Sequence, residues 1–193
     1  MNVKKIGIII ADDMEYTPFE KRIADFSAIE STLLGRRCHA FTLKSGERSV
    51  EVVTVHCGIG KVNAAAATAF IIANGADCII NTGLSGGINH IGRGMITLPD
   101  RLIEHDFDLT VLGYDFAAKP QKDYIYTASD ELNHAFLSVC HFAGVPFTAV
   151  RRISDDAGEN ANESYSDMNN REEDTLAEIV IDGLIAALDS YII

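Results

Sequence analysis

The sequence predicts a layered α/β fold. Apolar, β-branched runs of strand length recur along its 193 residues, and helical patterns lie between them. The polar and glycine-rich segments fall where those strands end. Continuous apolar runs suit strands buried on both faces, as in a sheet covered by helices on each side.

Lys5 to Ala11 (KIGIIIA) reads as the first buried strand. The acidic stretch Asp12–Asp13–Met14–Glu15 follows it, and Thr17–Pro18 reads as a helix start leading into Phe19 to Phe26. Val50 to His56 alternates and is β-rich, so it reads as a strand that turns through Cys57–Gly58–Ile59–Gly60–Lys61. The alanine-rich segment from Val62 to Ala69 favours a helix packed closely on a sheet. Asp77 to Thr82 is a second buried strand, ending in Gly83–Leu84–Ser85–Gly86–Gly87. Gly94 to Pro99 is a further strand, and Leu132 to Ala143 a helix stopped by Gly144. Val145 to Ile153 is a strand leading to Ser154–Asp155–Asp156, and Asp156 to Asp174 is polar and acidic, a loop or a frayed helix start. Thr175 to Ile192 carries apolar residues at helical spacing and closes the chain. The expected organisation is one domain over residues 1–193, without repeats or linkers.

Composition narrows the function. A net charge of −12, without a basic cluster, argues against nucleic acid and anionic membrane as partners and favours a small molecule. Cys38, Cys57, Cys78 and Cys140 form no CxxC pair, so neither a disulfide framework nor a zinc site is expected, which fits a reducing, cytoplasmic compartment. The six histidines show no metal-ligand spacing, and no metal or other cofactor is expected. Ile6 to Ala11 is too short for a signal-peptide core, and no run reaches the ~20 apolar residues of a membrane span. Gly58–Ile59–Gly60–Lys61 fails the Walker pattern at both ends, since position 55 is Val and Val62 follows the lysine.

In layered α/β folds, ligands collect beyond the carboxyl ends of strands. Asp12 to Glu15, Gly83 to Gly87 and Ser154 to Asp156 all fall there. Glu15 and Asp155, at separate strand ends, are candidates to divide general-base and general-acid work.

Taken in order, five segments resemble the methylthioadenosine/S-adenosylhomocysteine nucleosidases of the nucleoside phosphorylase superfamily. They are Ile6–Gly7–Ile8–Ile9 through Glu15; Cys57–Gly58–Ile59–Gly60–Lys61–Val62–Asn63–Ala64–Ala65; Ile80–Asn81–Thr82–Gly83–Leu84–Ser85–Gly86–Gly87; His105–Asp106 with Asp108, Thr110 and Gly113–Tyr114; and Val145–Pro146–Phe147 through Arg151, Ile153, Ser154 and Asp155. The resemblance implies a three-layer αβα fold with a central twisted mixed sheet, a homodimer, and cleavage of a purine nucleoside at its N-glycosidic bond. By position, Glu15 matches the group that activates water, and Asp155 the group that helps protonate N7 of the leaving base. The same resemblance implies that Ser154 orients Asp155, that Ser85 and Gly86 match backbone positions beside the base, and that Ile59 matches a pocket-wall position. The carboxylates at Asp12 and Asp13 repel phosphate, which favours water over phosphate as nucleophile.

The resemblance breaks between Gly113–Tyr114 and Val145–Pro146–Phe147. There the family carries a base-stacking SGD-x-F strand end and an M-E-x-x-A helix start whose glutamate grips the ribose. Only Lys119 to Gly144 stands in this sequence to cover that block. Aligned without gaps from Val145, Leu132 takes the place of the ribose glutamate, and a one-residue shift lets Glu131 serve instead. An active nucleosidase is the leading expectation. The alternatives are a base-binding homologue without turnover and a phosphate-dependent phosphorylase.

Overall fold

Alternate residues of β1 (Lys5–Ile10) face two different hydrophobic cores, and this places helices on both sides of the sheet. The protein is described here by a computed structural model covering residues 3–33, 35–88, 91–100, 102, 126–127, 130–158, 176–190 and 192–193, with the side chains of 126–127 and 130–134 outside that description. On one face, Ile6, Ile8 and Ile10 pack with Tyr16, Phe19 and Ile23 of α1 (Asp13–Ile23) and with Ile181, Leu184 and Leu188 of α4 (Leu176–Asp189). On the other, Ile9 packs with Ala64, Ala67 and Ile71 of α2 (Lys61–Ala73) and with Phe136 and Cys140 of α3 (Asp130–Ala143). The result is the three-layer αβα arrangement.

The remaining strands are β2 (Ile29–Leu33), β3 (Arg36–Ser45), β4 (Arg48–His56), β5 (Cys78–Ile88), β6 (Ile96–Thr97), β7 (Tyr126–Thr127) and β8 (Phe147–Asp155). Their order is β2-β3-β4-β1-β5-β8-β6, with β7 paired to β5 off that path. Strands β4, β1, β5 and β8 run parallel, and β2, β3 and β6 add antiparallel edges, so the sheet is mixed. All the strand ends that carry the candidate residues belong to this parallel centre.

Several boundaries differ from those expected. Helix α1 starts at Asp13, not at Thr17, because Asp12 caps it with a carboxylate that accepts from the Met14 amide. The acidic turn is therefore the first turn of the helix, and Pro18 lies inside it. Strand β5 does not stop at Thr82 but runs through the glycines to Ile88. The expected strand over 94–99 is reduced to Ile96–Thr97. Residues 27–49 hold β2, β3 and the start of β4, joined by a two-residue turn with Gly46 at φ 58°. His105, Asp106, Asp108, Thr110, Gly113 and Tyr114 lie outside the described residues.

Gly7 sets how closely α2 approaches the sheet. A Cβ there would stand 2.6 Å from Ile71 Cγ2 and 2.8 Å from Ile79 Cδ1. Gly7→Ala is expected to overpack this contact and to cost about 1–3 kcal/mol, read as a lower urea midpoint at unchanged slope.

Candidate active site

Glu15 lies in the first turn of α1, and its carboxylate crosses the end of β1 to reach β5. There its Oε1 accepts the Leu84 amide at 2.7 Å. Only 8% of the residue is exposed. The site is cramped for a reason that Gly83 makes plain. A Cβ at Gly83 would fall 2.6 and 2.7 Å from the two Glu15 oxygens and 2.7 Å from Arg151 Nη1. Carboxylate and guanidinium thus converge over a glycine that leaves them the room.

Burial pushes the Glu15 carboxyl up to about 7. The Arg151 charge and the Leu84 amide pull it back down, and Asp12 nearby adds to the rise. A carboxyl balanced in this way holds or releases a proton near neutrality, which is what a general base requires. Arg151 is itself buried and donates to Asn81 Oδ1, while Asn81 Nδ2 donates to the Ile9 carbonyl at 2.8 Å. The cation is therefore tied through Asn81 to the backbone of β1.

Asp155 closes the other side. A bulge between β5 and β8 makes Ser154 the extra residue, with Ile153 opposite Ser85 and Asp155 opposite Gly86. Bulges of this kind re-aim the residues at a strand end. The Asp155 carboxylate accepts from Ser154 Oγ at 2.6 Å and from the Ala157 amide at 2.8 Å. Ala157 sits at φ 54°, a left-handed conformation uncommon for alanine, with its amide turned to Asp155. Leu84 and Gly86 are two residues apart, about 7 Å of strand, so Glu15 and Asp155 flank one short stretch of β5.

The expected residues divide as follows. Glu15, Ser85, Gly86, Ser154 and Asp155 come together at the carboxyl ends of β5 and β8. Ile59 stands in the turn before α2 and is 67% exposed. Glu131 belongs to the first turn of α3, and its side chain lies outside the described residues. The sequence reading passed over the Asn81–Arg151 pair as chemistry. The signal was present: an amide and a cation inside runs otherwise fit for burial on both faces. Among the described residues, no group of three or more His, Cys, Asp or Glu is placed to hold a metal ion. No helix among them is long and apolar enough to cross a membrane.

Residues 5–138 match the phosphorylase superfamily. A 5'-methylthioadenosine/S-adenosylhomocysteine nucleosidase of Halalkalibacterium halodurans is 30% identical over 216 aligned positions, covering 84% of this chain and 90% of the relative. That alignment is longer than the chain's 193 residues, so it passes over positions that this chain lacks. Among solved structures, the S-adenosylhomocysteine nucleosidase of Streptococcus pyogenes in complex with 5-methylthiotubericidin superposes with TM-score 0.76 at 24% identity, covering 96% of this chain and 98% of that one. The futalosine hydrolase of Helicobacter pylori superposes with TM-score 0.73 at 21% identity, covering 94% and 97%. These two likenesses speak for the fold.

A carboxyl raised to about 7 in the native state binds its proton more tightly there than in the unfolded chain. Its contribution to stability is complete below the ordinary value of 4.5 and is lost as pH rises through about 7. Between pH 5 and 8 the wild type should therefore lose stability relative to Glu15→Gln, by a margin of order 3 kcal/mol at most. Urea titrations of both proteins across that range measure it, and parallel pH profiles would contradict it.

Proposed function

Because the chain belongs to the phosphorylase superfamily and, within it, to the methylthioadenosine/S-adenosylhomocysteine nucleosidases, we propose that it hydrolyses the N-glycosidic bond of such a purine nucleoside and releases the free base. The observation that carries this reading is the buried Glu15 carboxylate, held by the Leu84 amide beside Arg151. Water is the nucleophile. Glu15 takes its proton as the oxygen adds to the anomeric carbon. The glycosidic bond breaks with its electron pair moving into the purine, and Asp155 delivers a proton to N7, so the base leaves neutral. Arg151 keeps Glu15 in reach of its charged form. Ser154 holds Asp155 in place, and the backbone at Ser85 and Gly86 borders the base. Acid–base assistance of this kind contributes ~10²–10⁴-fold per group.

Glu131 is proposed as the ribose carboxylate, taking the place of a glutamate that the shortened central block lacks. Charged hydrogen bonds to hydroxyls contribute ~1.5–3 kcal/mol each, so this position governs affinity for the sugar. The acidic turn at Asp12 and Asp13 argues against a phosphate nucleophile.

The working unit is proposed to be a cytoplasmic homodimer. Helix α2 carries only one charged residue, Lys61, among its 13, and it exposes Val62, Ala66, Ala69, Phe70 and Ala73 along one side. A helix apolar all round is a buried helix, and here a second copy of the chain supplies the cover. Ile59 stands beside the start of this stripe, so the same contact would enclose it as a pocket wall.

The test of activity is base release from methylthioadenosine, adenosylhomocysteine, adenosine and inosine, with and without phosphate. Phosphate-independent release is expected, with kcat/KM rising with pH to a plateau above about 7 and falling at least ~100-fold in Glu15→Gln and in Asp155→Asn. Bound adenine without release from any substrate would leave a binding protein. For the assembly, Val62→Glu combined with Phe70→Glu should convert a dimer to a monomer in sedimentation velocity, and a monomeric wild type would refute the dimer.

A further inference from the structure

Residues 13, 16 and 20 of α1 form a stripe at i, i+3 and i+7, in which Tyr16 is buried beside the core-facing Glu15, Phe19 and Ile23, and Asp13 and Glu20 lie toward the helix flank. Every member of this stripe is gripped by β3 or β4. Arg37 donates to both Glu20 oxygens at 2.8 Å and to Asp13. Its guanidinium also lies 5.3 Å from the centre of the Tyr16 ring. His56 Nδ1 stands 3.7 Å from Asp13 Oδ1, and its ring centre is 5.5 Å from that of Tyr16. Tyr16 is fully buried, and its hydroxyl lies 2.9 Å from His39 Nδ1 and 3.1 Å from Thr54 Oγ1. The hydroxyl has one proton and two partners, so it donates to one and accepts from the other.

This polar cluster lies beneath α1, whereas the Glu15 carboxylate reaches β5, and the cluster takes no part in the proposed chemistry. A core helix needs no such cluster for stability alone, because Phe19 and Ile23 already supply an apolar anchor. What the cluster adds is resistance to rotation about the helix axis. Side-chain tips stand ~5–6 Å from that axis, so a turn of ~20° moves one by about 2 Å. A displacement of that size would carry Glu15 off the Leu84 amide.

We infer that the Tyr16 hydroxyl, cradled by His39 and Thr54, is a positioning device for Glu15: it sets the rotation of α1 and thereby the placement of the carboxylate between Leu84 and Arg151. The inference rests on the proposed role of Glu15 only where activity is the readout. The groups that face Glu15 are Asp12 on its own element, Cys57 at the end of β4, the Leu84 amide on β5 and Arg151 on β8.

Two readouts test it on the full-length protein. The first is kcat against KM for base release. Tyr16→Phe should lower kcat by about 10-fold or more while KM stays within about twofold, since a 1 Å misplacement can cost ~10²-fold. The second is the titration of the Glu15 side-chain carboxyl by carbon-13 NMR, assigned by its loss in Glu15→Gln. Its midpoint should move in Tyr16→Phe by at least about half a unit. Should Tyr16→Phe fold poorly, His39→Leu and His39→Asn replace it. Asn presents a polar atom near the place of Nδ1 and should restore kcat and midpoint, and Leu should not. A native-like Tyr16→Phe, or His39→Leu, with unchanged kcat and unchanged midpoint overturns the inference. A wild type inactive on every nucleoside, with a midpoint that still moves, would refute the proposed function and leave the positioning role standing.

Discussion

The site depends on one constraint: a carboxylate and a guanidinium are buried together over a residue with no side chain. An isolated buried charge is expensive, and removing one partner of a buried pair leaves the other uncompensated. Glu15 and Arg151 meet this cost jointly, with the Leu84 amide and the Asn81 side chain taking up hydrogen-bonding capacity. The arrangement leaves a carboxyl that titrates near neutrality instead of one locked in a single state. Such a group is poorly placed for stability and well placed for proton transfer.

The geometry of the sheet follows from the same constraint. Glu15 comes from the helix after β1, the glycine from β5 and the cation from β8, three neighbouring parallel strands. Parallel pairing brings their carboxyl ends to one edge, and the bulge at Ser154 then directs Asp155 toward the same stretch. The antiparallel strands at the flanks supply no part of the carboxylate pair, but β3 and the end of β4 hold α1 in its orientation.

Much of this was legible in the sequence. The buried strands, the α2, α3 and α4 helices and the meeting of three strand ends follow from apolar periodicity and glycine placement, because burial on both faces leaves a direct trace in composition. The antiparallel hairpin at 29–45 left a weaker trace. Its outer strand, Ile29–Leu33, exposes all but Leu33 and has no face that demands apolar residues. The one clear mark nearby was Gly46, which turns β3 into β4. The start of α1 was misplaced because Thr17–Pro18 imitates a helix start, whereas Asp12, five residues earlier, does the capping. The partnership of Asn81 with Arg151 was hidden for another reason. Residues 70 positions apart meet only through strand register, which no local pattern encodes.

The parallel centre of the sheet also bears on how the chain is made. Strand β5 pairs with β1 on one side, but its partner on the other side, β8, begins roughly 60 residues later. At ~5–20 residues per second, a ribosome needs several seconds to supply it. Through that interval the nascent protein presents an unpaired strand edge that carries Asn81 and Gly83, and open edges of this kind invite pairing with other chains. Arg151 arrives with β8, so the same event that closes the edge also brings Glu15 its counter-charge.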